Sequence, residues 1–143
     1  MLALLDQTLR SVPMLSTLGI RPEVARTGHL VLRLPLAPDI TDHAGAIPPA
    51  AIFAVGELAA AVVLGTHPDL AGLIHLQKST KIKYYRQSTQ DVTAHAELDE
   101  EILQAIVDGL GAGTPHADLT VRVLDGHGRD VAELVSRFAF RRR

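Results

Sequence analysis

A single acidic residue, Glu57, lies in the middle of the most apolar segment of the chain, Ile47–Gly65. No other Asp, Glu, Lys or Arg occurs between Asp42 and Asp69. A carboxylate is costly to bury unless it is paired or used, and apolar surroundings make it a better proton acceptor. Glu57 is therefore a candidate general base. The alternatives are an ion pair across an interface or a side chain that points to solvent.

Two further polar residues, Asp42 and His43, lie in the loop Ala37–Ala46 that leads into the same segment. Loops that feed a helix often bring polar groups to a ligand, so His43 is a second candidate. The simpler interpretation of His43 is an exposed loop histidine. The other histidines lack metal-binding spacing, and no serine stands in a nucleophile-elbow motif. We expect no metal and no bound cofactor.

A basic cluster follows further along the chain and surrounds two adjacent aromatic residues: Lys78, Lys81, Lys83, Arg86, Tyr84 and Tyr85. Lys81 and Lys83 alternate with other residues and so share one face of a predicted strand. Such a cluster can bind the phosphates of a nucleotide-bearing ligand. It can equally be a solvated strand face, where Lys discourages edge-to-edge pairing.

The composition indicates a globular protein. The chain has 143 residues, of which 47% are hydrophobic, and we expect residues 1–143 to form one domain. The absence of Cys excludes disulfides and a thiol nucleophile. A net charge of −2 and the five aromatic residues (two Tyr and three Phe) argue against nucleic-acid binding.

The apolar segment is predicted to be a buried helix and not a membrane span. Pro48 and Pro49 suit the first turn of a helix, where N–H groups are not needed, and a carboxylate at mid-span is expensive in lipid. No basic region precedes the apolar residues at the N-terminus, so no targeting signal is indicated. We expect a cytoplasmic protein.

The remaining elements are predicted from the spacing of apolar residues. They are an N-terminal amphipathic helix ending near Pro13, a strand at 30–36, strands near 80–85, 92–98 and 119–123, a helix over Asp99–Leu110, and a last strand over Arg129–Phe140. Asp99 is a natural N-cap for the second of these helices, and Asp125-Gly126-His127-Gly128 is typical of a hairpin turn. This order predicts an α+β fold in which an antiparallel sheet wraps around the long helix.

The segment Asp42–Ala61, DHAGAIPPAAIFAVGELAAA, resembles the motif that opens the central helix of hotdog-fold acyl-CoA thioesterases. In the branch with the phenylacetate-pathway enzymes, this motif runs N-H-x-G-x-x-H-G-G and precedes an apolar helix that carries an acid. Asp42, His43, Gly45 and Glu57 match the Asn, His, Gly and acid. The segment KIKYYRQSTQDVTAHAEL resembles the family's strand–turn–strand region, and the ending VRVLDGHGRDVAELVSRFAF also fits.

The resemblance implies a homodimer, or a dimer of dimers, with active sites between protomers. It implies that Glu57 activates water or attacks the thioester, and that His43, beside Asp42, polarises the thioester carbonyl. Main-chain N–H groups near Gly45 and Ala50, at the start of the helix, would stabilise the oxyanion.

The resemblance also implies the substrate, an acyl-CoA or an acyl-carrier thioester. Arg86, together with Lys81 and Lys83, would contact the phosphates of CoA.

One departure from the family motif keeps other functions open. Pro48, Pro49 and Ala50 replace His-Gly-Gly, and Pro49 has no N–H where the family's glycine donates to the oxyanion. Losing such a donor lowers rates ~10²–10³-fold, so either the Ala50 N–H or His43 takes over or the protein binds acyl groups without hydrolysing them. A hydroxyacyl-thioester dehydratase is a third possibility, although the G-x-P-x-x-P-G stretch of those enzymes is absent.

Overall fold

The computed structural model describes the whole chain, from Met1 to Arg143. Its helices and strands are α1 (Leu2–Ser11), α2 (Pro13–Leu18), β1 (Arg21–Arg26), β2 (His29–Leu34), α3 (Pro49–Gly65), β3 (Leu73–Tyr84), β4 (Val92–Glu97), α4 (Glu100–Gly109), β5 (His116–Leu124) and β6 (Asp130–Arg142). Short 3₁₀ turns follow β2, α3 and α4, at Pro38–Ile40, Pro68–Leu70 and Leu110–Ala112.

The strands form one antiparallel sheet of six, in the order β1-β2-β4-β5-β6-β3. Strands β1 and β3 are therefore its two edges. Helix α3 packs across one face of this sheet and contacts five of the strands, β2 to β6. The prediction of an α+β fold with an antiparallel sheet around a long central helix is confirmed.

Helix α3 begins where its two prolines predict. Pro48 is its extended N-cap and Pro49 its first residue, and the helix ends at Gly65. The residues that face the sheet are buried and include Val55, Ala59 and Val63. Together with the inward residues of the strands they form one core of 31 buried residues. Burial of this face, not polar contact, holds the helix on the sheet.

A glycine lets α3 approach strand β6 closely. A Cβ at Gly56 would lie 2.5 Å from Cδ1 of Leu134, closer than carbon atoms can approach. Leu134 is itself fully buried. Gly56 therefore sets how closely the helix lies against the sheet and fixes the position of its neighbour Glu57.

The predicted cap and hairpin turn are both present. A side-chain oxygen of Asp99 accepts a hydrogen bond from the Ile102 N–H at 2.8 Å and so caps α4. In the turn between β5 and β6, Oδ1 of Asp125 accepts from the N–H groups of His127 and Arg129, at 2.9 and 3.0 Å. Nε of Arg129 donates to Oδ2 of the same carboxylate at 2.9 Å.

This turn makes stability depend on pH. Burial opposes ionisation of Asp125, but hydrogen bonds from Arg129 and His127 outweigh it and lower the pKa of Asp125 below its ordinary value. A carboxyl whose pKa is lower in the folded state stabilises the fold above its unfolded pKa and ceases to do so as the pH falls through its folded pKa. We expect the midpoint of urea unfolding of the wild type to fall as the pH is lowered through this acid range. The midpoint of Asp125→Asn should fall less over the same range. Exposed Asp39→Asn is the control, and an equal acid response in all three proteins would contradict the prediction.

The N-terminal region differs from its prediction in two ways. The expected single helix is two, because Pro13 starts α2 after the chain extends at Val12. Strand β1 was not predicted at all. Its residues are half-buried or exposed, as on a sheet edge, so its sequence lacks a regular alternation of apolar and polar residues.

Candidate active site

Glu57 lies on the side of α3 that faces away from the sheet. It is half-buried and forms neither a hydrogen bond nor an ion pair within the chain. Its half-buried neighbours on this side are all apolar: Phe53, Ala54, Leu58, Ala61 and Val62. In a single chain, Glu57 is thus the only charged group on an open apolar helix face.

The loop before α3 is held by Asp42. Oδ1 of Asp42 accepts hydrogen bonds from the N–H groups of Ala44 and Ala46, at 2.9 and 3.0 Å. The bond from Ala46 outweighs partial burial and holds the pKa of Asp42 below its usual value. Gly45 has a φ of +77°, a left-handed conformation that glycine adopts without strain. Asp42 therefore shapes the loop, and His43 projects from it as an exposed side chain.

One backbone donor is free at the start of α3. Pro48 and Pro49 have no N–H, and the N–H groups of Ala51 and Ile52 donate to the Pro48 carbonyl at 3.0 and 3.2 Å. The N–H of Ala50 has no partner, and Ala50 is exposed. Because the helix dipole is positive at this end, a developing negative charge beside Ala50 would be stabilised.

A tyrosine hydroxyl lies at the same turn of the helix. Tyr84, at the end of edge strand β3, donates from its hydroxyl to the carbonyl oxygen of Pro49 at 3.2 Å. A cleft of about 250 Å³ opens here and is lined by Asp42, Ile47, Pro49, Ile52, Tyr84, Tyr85, Arg86 and Gln87. In the sequence, Tyr84 lies within the basic cluster, and its spacing there indicates no role of its own. Only its inward position in the strand alternation could have indicated contact with the helix.

The residues of the basic cluster lie in two separate places in the structure. Arg86 lines the cleft, and its Nε donates to the Asp130 carbonyl at 2.8 Å. Lys81 and Lys83 alternate with the inward residues of β3 and lie exposed on the opposite face of the sheet. The sheet thus separates both lysines from Glu57 within one chain, and their role in CoA binding stays a prediction.

Asp91 lies in the segment KIKYYRQSTQDVTAHAEL, which resembles the family's strand–turn–strand region, and its carboxylate has structural partners. It accepts from the Leu36 N–H at 2.9 Å and from Nη1 of Arg33 at 3.0 Å. These bonds join the end of β2 to the start of β4.

No three His, Asp or Glu side chains come together as metal ligands. No helix is both long and apolar enough to cross a membrane.

Comparison with known families decides the relationship. Residues 3–139 match a family model described as a domain of unknown function, DUF4442. The chain belongs to the DUF4442 family. A comparison with curated protein sequences finds no match for this DUF4442 protein.

Solved structures share the fold of this DUF4442 protein. PA5026 from Pseudomonas aeruginosa, a protein of unknown function described as a probable thioesterase, is 25% identical with a TM-score of 0.90, over 99% of this chain and 95% of that one. Thioesterase HI1161 from Haemophilus influenzae is 14% identical with a TM-score of 0.76, over 98% and 90%. A mutant of thioesterase PA1618 from P. aeruginosa is 15% identical with a TM-score of 0.77, over 98% and 93%. The resemblance to hotdog-fold thioesterases is confirmed at the level of the fold.

Proposed function

We propose that residues 1–143 of this DUF4442 protein form a single thioesterase domain that hydrolyses an acyl-CoA or acyl-carrier thioester. The observation that carries the proposal is the placement of Glu57, an unpaired carboxylate on the open face of α3. The names of its structural neighbours support the same reaction class. The acid and the free N–H at the start of the helix are the two groups that the chemistry needs.

These two groups lie on one side of the helix. Glu57 follows Ala50 by seven residues, which is about 10 Å along the helix axis and within about 20° of rotation. Long side chains on a helix lean back toward its N-terminus, so the carboxylate of Glu57 approaches Ala50. A thioester group can therefore lie between them, with its carbonyl oxygen toward Ala50 and its carbonyl carbon toward Glu57.

In the proposed reaction, Glu57 takes a proton from water, and the water oxygen attacks the thioester carbonyl carbon. The carbonyl electron pair moves onto the oxygen to give a tetrahedral oxyanion. When the pair returns, the carbon–sulfur bond breaks and the leaving thiolate takes the proton that Glu57 accepted, so the products are a carboxylic acid and a free thiol and the Glu57 carboxylate is restored. Direct attack by the Glu57 carboxylate, followed by hydrolysis of the anhydride, gives the same products.

The oxyanion needs donors because Pro49 supplies none. We assign this role to the N–H of Ala50 and to the hydroxyl of Tyr84, whose one proton turns from the Pro49 carbonyl, its acceptor in the free chain, to the oxyanion when the thioester binds. We assign to His43 the polarisation of the thioester carbonyl. His43 projects from the loop that is shaped by Asp42 and by the turn at Gly45.

Removing the Tyr84 hydroxyl tests this assignment. We expect Tyr84→Phe to lower kcat about tenfold, because an exposed hydroxyl hydrogen bond contributes about 1.4 kcal/mol to a transition state. Tyr85→Phe is the matched control, since the Tyr85 hydroxyl makes no hydrogen bond within the chain. Steady-state kinetics on one acyl-CoA measures both variants. Equal kcat values for Tyr84→Phe and the wild type would remove Tyr84 from the mechanism.

Arg86 is the first expected contact for the CoA phosphates because it lines the cleft at the start of α3. Lys81 and Lys83, on the other face of the sheet, reach the same ligand only if it passes around edge strand β3. A carrier-bound thioester would meet the same basic residues through its phosphopantetheine phosphate.

The active protein is proposed to be a homodimer, or a dimer of such dimers. Strand β3 is an edge strand of 12 residues whose outer backbone groups have no partner in the chain. Long unpaired edges pair with another chain. A second copy would also cover the open face of α3 around Glu57 and enclose the thioester between protomers.

A second candidate function is acyl-CoA binding without hydrolysis. Pro49 favours it, because the family's glycine N–H is missing at that position.

A thiol-release assay over a panel of acyl-CoA and acyl-carrier thioesters separates the two functions. The chain has no Cys, so a thiol-reactive dye reports only the released thiol. Release by a protein whose mass in light scattering is that of a dimer or tetramer supports the thioesterase. Binding of acyl-CoA without release supports the binding protein, and hydration of crotonyl-CoA would point to a dehydratase.

A further inference from the structure

A second cleft, which we name the α1–α3 cleft, lies at the far end of the central helix. It has a volume of about 300 Å³ and is bounded by Leu4 and Leu5 of α1 and by Val62, Gly65 and Thr66 of the α3 end. Leu4 is 69% exposed, and Met1, which also lines the cleft, is 59% exposed. No part of the chain covers this apolar surface.

Both side-chain hydroxyls in the walls of the α1–α3 cleft donate within the chain, and the α-amino group of Met1 is the other polar group among the lining residues. Oγ1 of Thr66 donates to the Val63 carbonyl at 2.6 Å and accepts from the Gly28 N–H at 2.9 Å. Oγ1 of Thr8, the other hydroxyl in the cleft, donates to the Leu4 carbonyl at 2.9 Å. No charged side chain lines it. The side chains of the cleft therefore suit a hydrocarbon and offer a sugar or nucleotide no free donor.

The open face of α3 connects this cleft to the proposed reaction centre. Glu57, Ala61 and Gly65 follow one another at four-residue spacing and form one row along the helix. Gly65 lies eight residues beyond Glu57, about 12 Å along the axis. The side chain between them, Ala61, is small, so a chain of carbon atoms can pass from one to the other.

The α1–α3 cleft also lies at the correct end of the helix for the acyl group. The phosphate-binding candidate Arg86 and the free N–H of Ala50 are at the start of α3, so the CoA part occupies that end. The acyl chain must then run away from it, along the row toward Gly65. An extended carbon chain advances about 1.2 Å per bond, so about ten carbons span the 12 Å.

We propose that the α1–α3 cleft binds the methyl end of a straight-chain acyl group of about ten carbons or more. The substrates of the proposed thioesterase are then medium- or long-chain aliphatic thioesters. This inference rests on the proposed function for the direction of the chain, while the cleft itself rests on its geometry and on its satisfied hydroxyl groups.

Filling the cleft tests the proposal. A Cβ at Gly65 meets no atom within 4 Å, so Gly65→Leu places a side chain in the cleft without a clash. We expect this variant to lower kcat/KM for dodecanoyl-CoA by about tenfold or more and to leave butanoyl-CoA within about twofold, as for other apolar pockets that lose room for methylenes. Gly72→Leu is the control, because Gly72 is an exposed loop glycine that also has nothing within 4 Å. Equal effects of Gly65→Leu on both substrates, or no effect on either, would overturn the proposal.

Binding of dodecanoate distinguishes failure of this proposal from failure of the proposed function. Calorimetry should show that dodecanoate binds to the wild type and to Gly72→Leu and that Gly65→Leu loses this binding, whether or not the protein hydrolyses thioesters. Hydrolysis with no dependence on Gly65 would support the thioesterase and reject the cleft. A change of mass in light scattering for Gly65→Leu, with an unchanged chain-length profile, would make the cleft an interface between copies and would also reject the proposal.

Discussion

Replacing Glu57 with Gln is expected to lower kcat for thioester hydrolysis by about a thousandfold, within the range of a lost general base or nucleophile. Gln has nearly the same size and hydrogen-bonding reach but cannot accept the proton of the attacking water. Glu57 has no partner in the chain, so the substitution breaks no structural contact. Release of thiol from the best acyl-CoA of the panel measures the effect.

The control for this experiment is Glu101→Gln. Glu101 is also a helical glutamate, but it is exposed in the first turn of α4 and lines neither the α1–α3 cleft nor the cleft at the start of α3. Its substitution should leave kcat within about twofold. Both variants must keep the circular dichroism spectrum and the mass of the wild type. A Glu57→Gln protein that retains more than a tenth of the wild-type kcat would show that the carboxylate is not the catalytic group.

Replacing Gly56 with Val is expected to reduce the free energy of unfolding by about 3 kcal/mol, the upper part of the usual range for overpacking. The new Cβ would lie 2.5 Å from Cδ1 of Leu134. Leu134 is fully buried in the middle strand of its half of the sheet, so neither it nor the helix can move away freely. Urea denaturation monitored by circular dichroism measures the loss.

Two further variants separate packing from a general intolerance of α3 to substitution. Gly65→Ala, on the same helix but facing open space, should leave the free energy of unfolding unchanged or raise it by up to about 1 kcal/mol. The double variant Leu134→Ala/Gly56→Val should lose less free energy of unfolding than the two single variants lose together. The reason is that the two side chains occupy the same space, so shortening one makes room for the other. Additive losses in the double variant would reject the assigned contact.

The residues Gly56 and Glu57 show that the two sides of α3 have different roles. One residue, Gly56, brings the helix onto β6, and the next, Glu57, lies about 100° further around the helix, on its open side, at a fixed distance from the sheet. Overpacking at Gly56 should consequently lower activity as well as the free energy of unfolding. The apolar face around Glu57 is the part of the helix that the single chain leaves open.

Much of this architecture was predictable from the sequence because it depends on neighbours along the chain. The bounds of α3 follow from two prolines and an unbroken apolar run, and the isolation of Glu57 is visible in the same run. The cap at Asp99 and the hairpin turn at Asp125 are local hydrogen-bond patterns of the same kind. Local geometry and apolar periodicity are encoded within a few residues, so a single sequence displays them.

Only the tertiary structure decided which distant residues meet. The order of strands makes β3 an edge, brings the Tyr84 hydroxyl to Pro49, and leaves Lys81 and Lys83 on the far face of the sheet. It also sets α1 beside the end of α3 and so creates the α1–α3 cleft. These contacts join residues far apart in the chain through the pairing of strands and the packing of one core. No spacing along the sequence records such pairings, because many strand orders would bury the same apolar residues equally well.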